Sequence, residues 1–92
     1  MQSHAHPTTA NCQRYMTQLA KHWSHKFEVS YDERQATFPL PMGTCRMTAG
    51  AEALDIALEA NAPEAMAKLQ EVVANHVRRF AFREPELAFD WR

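Results

Sequence analysis

Hydrophobic and polar residues alternate along this chain with two different periods, and each change of period marks a change of element. Cys12, Tyr15, Met16, Leu19, His22 and Trp23 recur at spacings of three and four, which puts them on one face of a helix running to about residue 24. Gln13, Arg14, Gln18 and Lys21 then face water. Thr8 or Thr9 supplies the N-cap oxygen, and Lys21, with His25 or Lys26 just beyond, meets the helix's negative end. From Phe27 the period is two: Phe27, Val29 and Tyr31 point one way, and Glu28, Ser30 and Asp32 the other. Asp32-Glu33-Arg34 turns into a second strand over 35–40, where Pro39 lacks an N–H and favours an edge or a bulge. Pro41-Met42-Gly43 turns the chain again, and the next strand sets Cys45 and Met47 against Thr44, Arg46 and Thr48. The cleanest alternation follows Gly50-Ala51, with Leu54, Ile56 and Leu58 against Asp55, Ala57 and Glu59.

Asn61-Ala62-Pro63-Glu64 has the form of a capping box, so a second helix starts there. Its inner face reads Ala65, Met66, Leu69, Val72, Val73, His76, Val77 and Phe80, and Pro85 stops it. Leu87, Phe89 and Trp91 alternate with Ala88, Asp90 and Arg92 in a closing strand, and residues 3–7 form a short opening one. The order is therefore β-α-β-β-β-β-α-β. Short turns make the sheet antiparallel, and two amphipathic helices can bury their stripes only on its apolar face. The expected fold is α+β: a two-layer sandwich with a sheet of five to six strands and both helices on one face. Its uncovered face carries Glu28, Ser30, Thr37, Thr44, Arg46, Thr48, Asp55, Ala57, Glu59 and Asp90.

Composition sharpens this picture mainly by exclusion. Ninety-two residues, 46% of them hydrophobic, suit one domain spanning 1–92 with a single core. Ten Lys and Arg against eleven Asp and Glu give no basic footprint for nucleic acid. The amino-terminal residues lack the apolar core of a signal peptide and no run approaches a membrane span, so a cytoplasmic protein is expected. Cys12 and Cys45 lie far apart without a C-x-x-C pair and read as free thiols of a reducing compartment. A disulfide between them requires the first helix to lie directly over the strand that carries Cys45.

Three groups of residues are candidates for chemistry. His22 and His25 form H-x-x-H, and His76 lies on the other helix's apolar stripe; with Cys45 they make a candidate metal set of imidazole and thiolate donors. The plainer alternative is that His22 and His76 are core-edge side chains bonded to a carbonyl or to Tyr15. Cys45 is a candidate nucleophile if an imidazole lowers its pKa, although Gly43-Thr44-Cys45-Arg46 offers no oxyanion hole. Arg78, Arg79 and Arg83 beside Phe80, Phe82 and Trp91 suit an anionic ligand or a partner protein, and the helix macrodipole also accounts for arginines there. Phe80 and Phe82 cannot share one helical face, so one of them leaves the core or covers a sheet edge. Glycine-rich phosphate loops, paired-carboxylate motifs and nucleophile elbows are absent.

Arg14-Tyr15, Leu19, His22-Trp23-Ser24-His25-Lys26, Gly43-Thr44-Cys45-Arg46 and the run from His76 to Glu84 together resemble the small bacterial domain of unknown function 2218, over nearly the whole chain. His22, Cys45, His76 and Phe80 stand at matching positions, while Trp23 replaces a smaller aromatic and Pro41-Met42 an apolar pair. The resemblance implies no set activity. It does imply an association with flavin-dependent siderophore-interacting proteins, and so with iron acquisition. The expectation is a non-enzymatic binding or accessory module that needs no cofactor and acts through its polar sheet face or through Arg46, Arg79, Phe82 and Arg83. A metal or haem protein using His22, His25 and His76, and a thiol enzyme using Cys45, are the alternatives. Self-association as a homodimer stays open.

Overall fold

A computed structural model describes all residues, 1–92. The chain forms β1 (Gln2–Ala5), α1 (Cys12–Trp23), β2 (Ser30–Tyr31), β3 (Gln35–Leu40), β4 (Gly43–Ala49), β5 (Leu54–Ala60), a 3-10 turn (Pro63–Ala65) and α2 (Met66–Phe80). The five strands make one antiparallel sheet in the order β1-β5-β4-β3-β2. The chain thus enters at one edge, crosses through α1 to the other, and meanders back until β5 lies beside β1. α1 packs on β3 and β4, and α2 on β5, so both helices cover the same face.

Register carries the alternation across the sheet. Cys45 lies between Phe38 and Leu58, and Met47 between Ala36 and Ile56, all six buried beneath the helices. Removing such side chains from water is the main stabilising term, about 1.5–3 kcal/mol for each large one. One residue along each strand, Arg46 lies between Thr37 and Ala57 on the face the helices leave open. Trp23 closes the helical layer edge-on to Phe38, with ring centroids 5.2 Å apart.

At the start of β4 the backbone makes a close approach that only glycine permits. Gly43 begins β4 with φ +156°, and a Cβ there would run into the Glu59 carbonyl, come within 2.9 Å of the Ala60 Cα and 3.0 Å of the Leu69 Cδ2. The β2–β3 turn is held differently, by the Asp32 carboxylate accepting from the amides of Arg34 at 2.8 Å and Gln35 at 2.9 Å. Those two bonds hold the Asp32 carboxyl below its ordinary pKa.

Four local expectations need correction. Neither threonine caps α1: its N-cap is Asn11, with no side-chain bond, because the Thr9 hydroxyl is drawn to Glu84. The capping box does not form, since Asn61 clamps the β3–β4 turn instead, its Nδ2 donating to the Pro41 carbonyl and its amide to the Met42 carbonyl, both at 2.9 Å. α2 therefore begins through the 3-10 turn, with Pro63 at its first position. The expected strand over 27–31 is regular only at Ser30–Tyr31. The closing strand is absent although its alternation holds, Leu87 and Phe89 being buried. Asp90 takes a left-handed φ of 49° that breaks the extended path, and the tail reaches the sheet only at its end, where His4 and Arg92 exchange backbone bonds of 2.9 Å.

Candidate functional site

Beyond α2 the chain leaves the helix at Ala81 and turns back toward the start of α1, which brings Glu84 within reach of the first turn of that helix. The Thr9 hydroxyl donates to both Glu84 oxygens, at 3.0 and 2.8 Å, and the Tyr15 hydroxyl donates to Oε2. Asn11 Nδ2 adds longer contacts of 3.4 Å to Glu84 and to the Tyr15 oxygen. These donors hold the Glu84 carboxyl below its ordinary pKa, Tyr15 contributing most and Thr9 next. Burial, and then the Glu84 carboxylate, push the Tyr15 phenol up. The network pins the segment after α2 against α1.

That pin sets the shape of a ledge beside it. Arg79 from the last turn of α2, Phe82 and Arg83 from the pinned segment, and Arg14 and Gln18 from the flank of α1 border a cleft of about 320 Å³. Phe82 is 71% exposed, with the Arg83 guanidinium 5.7 Å from its ring centroid, while Phe80 is half-buried. None of Arg14, Arg79 and Arg83 has a carboxylate within ion-pair distance. Arg78 points elsewhere, lying 4.8 Å over the Phe89 ring, which stacks on Trp91 at 5.7 Å. Arg79, Phe82 and Arg83 therefore come together, and Arg46 does not join them. It stands on the open sheet face, where His6 pairs with Asp55, and Glu59 accepts from Gln2 at 3.1 Å and from the Met1 amine at 2.8 Å.

The histidines lie on the other side of Phe80. His22 and His76 have ring centroids 5.7 Å apart, and His22 meets Phe80 edge-on at 5.9 Å. His76 Nδ1 lies 2.7 Å from the Val72 carbonyl, an acceptor only, so that nitrogen carries a proton and Nε2 is the free position. His22, expected on the buried stripe, is largely exposed; partial desolvation against its neighbours, then the nearby His76, Arg79, Lys26 and His25, hold it below its ordinary pKa. His22 and His76 border a cavity of about 220 Å³ whose inner wall is Trp23. His25 is exposed and lies outside that wall. Cys45 is fully buried in the sheet, and burial pushes its thiol up. No three His, Cys, Asp or Glu side chains are placed to share a metal ion. Both cysteines are free and buried, and Cys12 donates to the Thr9 carbonyl at 3.1 Å. No helix is long and apolar enough to cross a membrane.

Sequence reasoning missed Arg14 and the Thr9-Tyr15-Glu84 network. Asn11, Arg14 and Gln18 do recur at helical spacing along one flank of α1, which was the available signal for the first. Nothing local signals the second, because Tyr15 and Glu84 are 69 residues apart.

The model of a family described as an uncharacterised protein conserved in bacteria, DUF2218, matches residues 4–92. The chain is also similar to PA4090 of Pseudomonas aeruginosa, whose structure was determined by NMR: the two are 31% identical, with a TM-score of 0.81 over 99% of this chain and 94% of that one. Among proteins with curated descriptions, none matches.

Proposed function

The chain belongs to the DUF2218 family of uncharacterised bacterial proteins, and on that premise we propose that it is a non-enzymatic binding or accessory module that docks an acidic partner on the Arg14-Arg79-Arg83 ledge. One observation carries the reading: three guanidinium groups without carboxylate partners border the same cleft as an aromatic ring that is 71% exposed. Arginine and aromatic side chains are the residue types that dominate binding energy at protein interfaces. The helix macrodipole gives a structural reason for Arg79, in the last turn of α2, but not for Arg83 beyond the helix or for Arg14 on the neighbouring one. On the open sheet face Arg46 stands beside the Asp55 and Glu59 carboxylates, whose negative charge opposes an acidic partner. The ledge is therefore preferred to Arg46 as the docking surface.

For the partner we take the class that the family resemblance implies, a flavin-dependent siderophore-interacting protein, which would make the chain an accessory of siderophore-linked iron handling. Calorimetry of the chain against such a flavoprotein tests this, together with the flavoprotein's rate of ferric-siderophore reduction with and without the chain. Binding that weakens at least about tenfold in the Arg79→Glu, Arg83→Glu double variant is the expected result. Neither binding nor a change of rate would remove this partner class.

A further inference from the structure

The cavity beside the histidines differs in chemistry from the ledge. It opens between the end of α1, the β3–β4 turn and the middle of α2, and Trp23, Phe27, Leu40 and Met42 line its apolar part. Trp23 is 4% exposed, and its ring is braced by His76 at 4.9 Å, Phe38 at 5.2 Å and Phe27 at 6.4 Å. Packed in this way, Trp23 forms the rigid floor, and the half-buried Phe27, Met42 and Val72 supply the apolar surface open to a ligand, with the Phe27 ring favouring a planar one. At about 220 Å³ the space falls below the roughly 300–1,000 Å³ of pockets that hold drug-sized ligands, which limits the occupant to about one ring. Its charged lining is of one sign in character: Lys26 with the two imidazoles of His22 and His76, and no carboxylate.

We propose that this cavity binds a small aromatic carboxylate, its ring against Phe27 and Met42 over the Trp23 floor and its carboxylate between Lys26 and the imidazoles of His22 and His76. The Val72 carbonyl fixes the His76 proton on Nδ1 and leaves Nε2 as the ring nitrogen free to meet a ligand. His22 is faced by His76 and Arg79 from α2, and by Lys26 and His25 from the segment that follows α1, and these positive groups oppose its protonation. An anion between them relieves that opposition. Binding is therefore accompanied by proton uptake and tightens as the pH falls from about 8 to about 6, where a carboxylate ligand remains ionised.

Benzoate is the probe, added to the full isotope-labelled chain and followed by amide and indole chemical shifts, with benzyl alcohol and cyclohexanecarboxylate as comparisons. Saturable shifts at Trp23 and His76 are expected, with benzoate the tightest of the three. Lys26→Gln, a change at an exposed side chain, weakens binding about fivefold, and Val72→Phe, which fills the cavity, removes it. Arg83→Glu leaves it unchanged, which separates this site from the ledge. The proposal is overturned if benzoate produces no saturable shift up to about 20 mM, if Lys26→Gln binds it as well as the parent, or if benzyl alcohol binds equally.

Discussion

Replacing Tyr15 by phenylalanine removes one hydroxyl and leaves the ring buried, so it isolates the bond that pins the segment after α2. The Tyr15 hydroxyl donates to a carboxylate, a class of hydrogen bond worth about 1.5–3 kcal/mol. Glu84 is half-buried and keeps the Thr9 hydroxyl at 2.8 and 3.0 Å, which compensates part of the loss. The expected destabilisation is about 1–2 kcal/mol at neutral pH, or a Tm lowered by roughly 5–15 °C for a domain of this size. Because folding lowers the Glu84 pKa, its contribution is complete above the ordinary value of 4.5 and is lost as the pH falls through the folded value. Thermal unfolding of Tyr15→Phe and the parent, followed by circular dichroism at about pH 7 and about pH 3, therefore gives a difference that narrows in acid. A Glu84→Gln variant completes a double-mutant cycle whose coupling is at least about 0.5 kcal/mol at neutral pH. A Tyr15→Phe variant as stable as the parent at neutral pH, or equally impaired at both pH values, would refute the reasoning.

Two further outcomes follow from the packing. Gly43→Ala drives a methyl group into the β5 backbone and lowers stability by about 1–3 kcal/mol in denaturant titration; a neutral result would mean that the β4–β5 approach is looser than described. The buried thiols of Cys12 and Cys45 are expected to react with Ellman's reagent only as fast as the chain unfolds, and both to react promptly in denaturant. A fast native reaction at Cys45 would revive the thiol-enzyme reading.

The sheet was legible because period-two alternation in residues 35–60 is almost uninterrupted, and the observed register turns every inward residue under the helices. The helical stripes were legible from spacings of three and four, apart from the exposed His22, and so was the conflict between Phe80 and Phe82, which the structure resolves by exposing Phe82. Alternation alone, however, does not distinguish a strand from an irregular extended tail. Leu87 and Phe89 are buried as a strand would bury them, yet the left-handed turn at Asp90 denies them a ladder. Side chains were misjudged at Thr9 and Asn61 because each has a partner far along the chain: the Thr9 hydroxyl donates to Glu84 while accepting only from the Asn11 amide ahead of the helix, and Asn61 Nδ2 donates to the Pro41 carbonyl. The ledge was half legible: Arg79, Phe82 and Arg83 are neighbours in sequence, whereas the inclusion of Arg14 and the exclusion of Arg46 depend on how α1 lies against α2 and which sheet face is covered.

The most direct test of the docking surface is an amide chemical-shift map of the labelled chain bound to a flavin-dependent siderophore-interacting protein. The account predicts perturbations concentrated at Asn11, Arg14, Arg79, Phe82 and Arg83, and their disappearance in the Arg79→Glu, Arg83→Glu double variant. Perturbations centred on Thr44, Arg46 and Thr48 of the open sheet face, with the arginine ledge undisturbed, would contradict it.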